Sequence, residues 1–145
     1  MNDKYFLDTN VLVYLFDKSA PEKRARAKTL VAGAAETGDG IISSQVIQEF
    51  LSLSTRKFKT PMTLNESLIY LYKVLGPLCQ VYSDLALFES GLQIKAETNY
   101  SFYDCLILAA AIKGGCKTIY SEDLQHEQKI RDVQIVNPFI SSIQA

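Results

Sequence analysis

The chain lacks most of the side chains that catalyse reactions unaided. It has one histidine, His126, set in a polar run that reads as surface. No histidine pair is therefore available for metal-free cleavage of RNA, and no serine or cysteine nucleophile can be given a histidine base. There is no glycine-rich loop to cradle phosphates. The three cysteines, Cys79, Cys105 and Cys116, are odd in number, lie in apolar surroundings and match no zinc spacing. They read as reduced, buried thiols of a cytosolic protein. No window approaches the ~20 apolar residues of a membrane span. The opening MNDKYFLDTN contains no apolar core of signal-peptide length, so a cytoplasmic location without membrane contact is expected. The net charge of −1, from 15 basic and 16 acidic residues, is no excess for binding nucleic acid by bulk charge. It leaves room for a protein that neutralises its acids with metal ions.

What is present is ordinary for a globular protein: 48% apolar and 21% charged residues, without repeats, low-complexity tracts or a linker. A single domain, 1–145, is expected, since a chain of this size buries roughly 70% of its unfolded surface without disulfides or metal.

Helical and strand signals alternate along the chain. KYFLD (4–8) reads as a short buried strand, followed by a helix over TNVLVYLF with Thr9 or Asn10 as its cap. PEKRARAKTLVAGAAE predicts a second helix, with Pro21 near its start, and TGDG a turn. Ile41-Ile42 is a strand. Ser43-Ser44 then caps a helix through QVIQEFLSLSTRKF, with Val46, Ile47, Phe50, Leu51 and Leu53 as its apolar stripe. TLNESLIYLYKVL predicts a helix stopped by Gly76-Pro77; LCQVYS is a strand, and Ser83-Asp84 caps LALFESGLQIKAE. Ser101 caps the next helix, Gly114-Gly115 ends it, and KTIYS and QIVN are the last strands. The alternation predicts an α/β fold: a mostly parallel central sheet flanked by helices in three layers, α/β/α.

Four acids stand in apolar rather than polar stretches. Asp8 ends the first strand, Glu49 lies beside the apolar stripe of VIQEFL, Asp104 heads the apolar run Cys105 to Ile112, and Asp123 follows KTIYS with Glu122 beside it. Open α/β sheets bind ligands beyond the carboxyl ends of their strands, and these four segments lead to that edge. Four carboxylates cannot share a cleft without raised pKa values or a weakened fold. A divalent cation relieves the conflict, and an all-oxygen set suits Mg²⁺ or Mn²⁺. Each acid also has a local reading. Asp104 could serve the helix N-terminus in Ser101-x-x-Asp104, and Asp8 could accept N–H groups in its turn. Glu49 could keep a wet head on a packed stem, and Glu122 and Asp123 could be turn acids. Thr9, Asn10 and Ser43, at the same strand ends, could orient carboxylates or water, or merely cap. Asp84, which also precedes an apolar run, reads simply as an N-cap. Arg56, Lys57 and Lys59 in STRKFKT could steer a phosphate backbone, or sit as solvated cations at a helix end.

YFLDTNVLVYLFD, SSQVIQEF, SFYDCLILAAAIKGGC, TIYSEDL and IVNPF occur in this order. Together they resemble the PIN-domain ribonucleases, in particular the VapC-like toxins of prokaryotic toxin–antitoxin pairs, over essentially the whole chain. The resemblance implies one or two Mg²⁺ or Mn²⁺ ions held by Asp8, Glu49, Asp104 and Asp123, which are also the catalytic residues, with Thr9, Asn10, Ser43 and Glu122 in support. Of Glu122 and Asp123, Asp123 is favoured as the metal contact. It further implies cleavage of single-stranded regions of RNA by metal-activated water, leaving a 3′-hydroxyl and a 5′-phosphate. A homodimer and a partner antitoxin whose tail enters the acidic cleft are also implied. Glu127 stands where the family often has glycine, so a differently shaped loop is expected there.

Three rivals remain at this level. A signalling receiver module wants an adjacent acidic pair after its first strand, where this chain has Asp8-Thr9-Asn10. A phosphatase with an aspartate nucleophile wants a second aspartate two residues on, where Asn10 stands. A PIN-like fold that binds RNA without cutting it keeps every element named above.

Overall fold

The computed structural model describes residues 3–140; residues 1–2 and 141–145 of the expected 1–145 domain lie outside the described residues. The elements alternate as the apolar pattern predicts: β1 (Tyr5–Leu7), α1 (Thr9–Tyr14), α2 (Pro21–Thr37), β2 (Gly40–Ser43), α3 (Ser44–Arg56), α4 (Leu64–Tyr70), α5 (Gly76–Leu78), β3 (Cys79–Val81), α6 (Leu85–Glu97), α7 (Phe102–Lys113), β4 (Thr118–Tyr120), β5 (Lys129–Ile130) and β6 (Val133–Val136). The six strands form one sheet in the order β3-β2-β1-β4-β6-β5. All pairings are parallel except β5 with β6.

Neighbouring residues of a strand point to opposite faces. Phe6 and Leu7 are both fully buried, as are Ile41 and Ile42, so both faces of the sheet are covered. The Tyr5 hydroxyl donates to the Leu30 carbonyl (3.3 Å), which puts α2 on one face. On that face a Cβ at Gly40 would lie 2.3 Å from the Ala34 Cβ, so only glycine lets α2 approach. The next residue, Ile41, reaches Gly114 at the end of α7 on the other face. Beyond α7 lies α6, packed along it. The three layers expected from the sequence are therefore present.

Four details differ from expectation. The cap of α1 is neither Thr9 nor Asn10 but Asp8, whose carboxylate accepts the Thr9 N–H at 2.8 Å. Gly76-Pro77 does not stop the helix begun at Leu64. A π-helical turn (Leu71–Leu75) carries it into α5, with the Gly76 N–H bonded to the Leu71 carbonyl. This wider turn eases the clash of the proline ring with the preceding carbonyls, and the ring lacks an N–H to bond in any case. A two-residue strand, β5, precedes β6 in a hairpin whose turn places Arg131 at φ 54. Finally, His126 is half-buried rather than free on the surface: its Nδ1 accepts the Asn137 N–H at 2.9 Å and ties the loop after β4 to the end of β6. All three cysteines are buried and unbridged, and burial pushes the Cys116 thiol up to about 11.

Candidate functional site

Strand order reverses at β1: β2 and β3 lie to one side, β4, β6 and β5 to the other. A crevice opens at such a point beyond the carboxyl ends of the strands. Asp8 follows β1 directly and Asp123 follows β4, so they flank it; Glu49 reaches it from α3 and Asp104 from the first turn of α7. All four line one cavity of about 590 Å³, in the range of ligand sites. No lysine, arginine or histidine lines it.

The acids are held by neutral donors from neighbouring segments. Asp8 is 6% exposed; besides the Thr9 N–H it accepts the Ser121 hydroxyl at 2.7 Å. Burial pushes its carboxyl up to about 7, Ser121 and Thr9 pull it down, and Glu49 and Asp123 add to the rise. The Thr9 hydroxyl donates to Glu49 Oε1 (2.6 Å), and Gln45 Nε2, one helical turn before Glu49, donates to its Oε2 (3.1 Å). Asn10 Nδ2 donates to Asp123 Oδ2 (3.2 Å), while the Asp123 N–H bonds to Ser121 Oγ (3.2 Å). The local reading of Asp104 is answered by Ser101, whose Oγ takes the Asp104 N–H at 3.1 Å and so performs the capping. Asp104 lines the cavity; burial raises its carboxyl, a hydrogen bond with the Ser101 side chain offsets part of the rise, and Asp123 and Glu49 add to it.

The remaining candidates are placed elsewhere. Ser43 is buried and caps α3 through the Val46 N–H (3.4 Å) without lining the cavity. Glu122 turns away to Lys23 (2.5 Å) and the Tyr14 hydroxyl (2.6 Å). Burial would push Glu122 up, but these two partners outweigh it and hold the carboxyl below its ordinary range. Arg56, Lys57 and Lys59 are exposed beyond the cavity; Arg56 Nη2 donates to Oγ of Ser52, a wall residue, at 3.2 Å. Sequence reasoning missed Ser121, Gln45 and Tyr103. Gln45 had a readable signal, a donor four residues before a helical carboxylate; Ser121 had only its place between a strand and an acid pair.

The family model described as PIN domain matches residues 5–131. The chain belongs to the PIN-domain family. This PIN domain is similar to several solved structures at identities that speak for the fold. One is the Mycobacterium tuberculosis VapC20 toxin that cleaves the sarcin-ricin loop (22% identity, TM-score 0.61, covering 83% of this chain and 90% of that one). Another is a toxin–antitoxin complex from Klebsiella pneumoniae (19%, 0.68, 93% and 98%). A third is VapBC2 from Rickettsia felis bound to a DNA fragment from its promoter (16%, 0.59, 90% and 96%). No curated protein matches the chain.

Among otherwise partly apolar walls (Val13, Leu53, Ile107), the candidate metal ligands of the cavity are hard oxygens, a set that fits Mg²⁺ or Mn²⁺. The carboxylates are spread around its wall: among the described residues, no three histidine, cysteine, aspartate or glutamate side chains stand close enough together to form a finished coordination shell. In the PIN domain the loop after β4 places Glu127 at φ 71, the left-handed backbone that glycine adopts freely. The glycine-like conformation at this position is thus present with a glutamate in it. Among the described residues no helix is long and apolar enough to cross a membrane.

Proposed function

We propose that this PIN domain is a metal-dependent endoribonuclease that cleaves single-stranded regions of RNA, the toxin of a toxin–antitoxin pair acting in the cytoplasm. One observation carries the reading: four carboxylates from four separate chain segments line a cavity that contains no cationic side chain. Burial first, and the neighbouring carboxylates after it, raise the Asp8 and Asp104 carboxyls, a cost that positive charge from outside the protein, or protons, would relieve. Asp8, Glu49, Asp104 and Asp123 would hold Mg²⁺ or Mn²⁺. When bound, the ion would supply Lewis acidity toward the phosphodiester and acidify attacking water. Thr9, Gln45, Asn10 and Ser121 orient the carboxylates through the hydrogen bonds described, and Ser101 frees Asp104 from capping. Glu122, paired with Lys23, would stay out of the site.

The same cavity suits an antitoxin segment rich in lysine or arginine, whose cations would take the place of the metal. A homodimer is proposed through α6. Leu85, Phe88 and Leu92 form an exposed stripe on it, and among the described residues Glu89 and Lys95 beside the stripe have no ion-pair partner. Two α6 helices crossing antiparallel at Leu92 would set Glu89 against Lys95 of the partner subunit, and Phe88 against the small Ala96 of the partner subunit, twice over by the two-fold.

The deciding experiment is cleavage of a single-stranded RNA with Mg²⁺ or Mn²⁺, with and without chelator, by wild type and Asp104→Asn. Cleavage that chelator and substitution each abolish is expected. Equal activity in all samples would overturn the reading.

A further inference from the structure

We propose that Tyr103 determines substrate selection: its ring is the shelf on which an unpaired RNA base stacks beside the acids. The inference rests on the ribonuclease reading above and extends it to a residue that no motif singles out. Tyr103 is 68% exposed, although the seven residues that follow Asp104 are buried. Of the large apolar side chains exposed among the described residues, it alone lines the acidic cavity. Core packing therefore does not explain an aromatic residue here.

The backbone beneath the ring is also fixed in place. The Tyr103 carbonyl accepts Gln45 Nε2 at 3.1 Å, and the same nitrogen donates to Glu49, so one side chain ties the aromatic residue to the carboxylates. The Tyr103 ring meets Phe102 near edge-on, centroids 6.3 Å apart, a contact that holds it while its own area stays open. Because no cationic side chain lines the cavity, the protein itself offers substrate phosphates there only neutral donors, beside any ion the acids would hold. Arg56, bonded to the wall residue Ser52, lies two helical turns (~10 Å) beyond Glu49. Between Tyr103 and Arg56 no side-chain cation adds to what a bound ion supplies, which leaves the base as the further source of affinity. Stacking on an aromatic side chain accepts any base, but it needs a free base face, which a duplex does not offer. A single strand with one base on Tyr103 and its backbone leading toward Arg56 satisfies the geometry; a paired strand does not.

The test is steady-state cleavage of one oligoribonucleotide, free and annealed to its complement, by wild type, Tyr103→Phe, Tyr103→Trp and Tyr103→Leu. Leucine keeps bulk but cannot stack, and the exposed position tolerates it. Tyr103→Leu is expected to raise KM for the single strand about 5- to 100-fold with kcat little changed, and to keep the wild-type melting temperature. Phenylalanine and tryptophan should restore KM, and annealing should protect the RNA. An unchanged KM in Tyr103→Leu, or a loss confined to kcat, would overturn the proposal. Wild type that cuts no RNA would instead overturn the ribonuclease reading, so the two failures are separable.

Discussion

Ser121 Oγ donates to Asp8 Oδ2 at 2.7 Å, joining residues 113 positions apart across the boundary between β1 and β4. Ser121 is fully buried and its hydroxyl also accepts the Asp123 N–H, so one oxygen positions two of the four acids. Ser121→Ala removes the stronger of the two hydrogen bonds that hold the Asp8 carboxyl down. Losing such a supporting bond typically weakens metal affinity or activity about 10- to 100-fold. Calorimetric titration with Mn²⁺ should show this loss; affinity equal to wild type would deny Ser121 that role.

The raised Asp8 carboxyl makes stability depend on pH in a definite direction. Its folded value of about 7 exceeds the unfolded value of 3.8. The folded protein therefore holds the proton more tightly, and the stability so gained is lost as pH rises toward 7. Asp104 shifts the same way, while Glu122, held low, acts only at more acid pH. Metal-free protein should be more stable at pH 5 than at pH 8, by roughly 2–3 kcal/mol in urea denaturation. Mn²⁺ should stabilise more at pH 8 than at pH 6, because protons and metal compete for the same oxygens. A flat profile in metal-free protein would show Asp8 ionised throughout.

Adjacent acids should behave as opposites. Glu122→Gln removes the charge paired with Lys23, while its amide oxygen can still accept the Tyr14 hydroxyl, and should leave RNA cleavage intact. Asp123→Asn should abolish it. Loss of cleavage in Glu122→Gln with the fold preserved would reverse the assignment.

Glu127 occupies left-handed backbone with its N–H bonded to the Ile135 carbonyl (2.8 Å). Glycine there relieves strain but loosens the unfolded chain, two terms of about 1 kcal/mol that nearly cancel. Glu127→Gly should leave the melting temperature unchanged or slightly higher, whereas Glu127→Val should destabilise by about 1–3 kcal/mol. Equal melting temperatures for the two variants would mean that the loop relaxes out of this conformation.

Sedimentation addresses the α6 face. Leu92 is 61% exposed, so Leu92→Glu should spare the fold while shifting a dimer to monomer. Glu89→Lys should weaken association and Glu89→Lys with Lys95→Glu should restore it, since the double change re-creates the opposed charges. A wild type that sediments as a monomer at all concentrations would remove the dimer.

The legible parts of this fold were those written in local pattern. Phe6-Leu7 and Ile41-Ile42 announced a sheet covered on both sides. Ser101 and Asp84 announced helix starts, and Asp84 indeed caps α6 through the Leu87 N–H (2.8 Å). The four acids stood out by their places at strand ends and beside or at the head of apolar helix stretches. The rest depends on partners remote in sequence. Nothing near Glu122 reveals that Lys23 and Tyr14 draw it from the cleft, and nothing near His126 reveals its bond to Asn137. The π turn before Pro77 escaped because proline after glycine usually ends a helix. Tyr103 looked like one more core aromatic until its exposure was visible.

The placement of β4 has a consequence for how the protein is made. β1 sits inside the sheet, yet one of its two neighbours is built from residues 118–120. Ser121 and Asp123 arrive with that strand. A nascent chain on the ribosome thus carries Asp8 and Glu49 long before the segment that completes their enclosure, and Asp104 only shortly before it. On the ribonuclease reading, activity would be withheld until residues 118–123 have emerged and β4 has docked on β1, so a product truncated before them should be inactive.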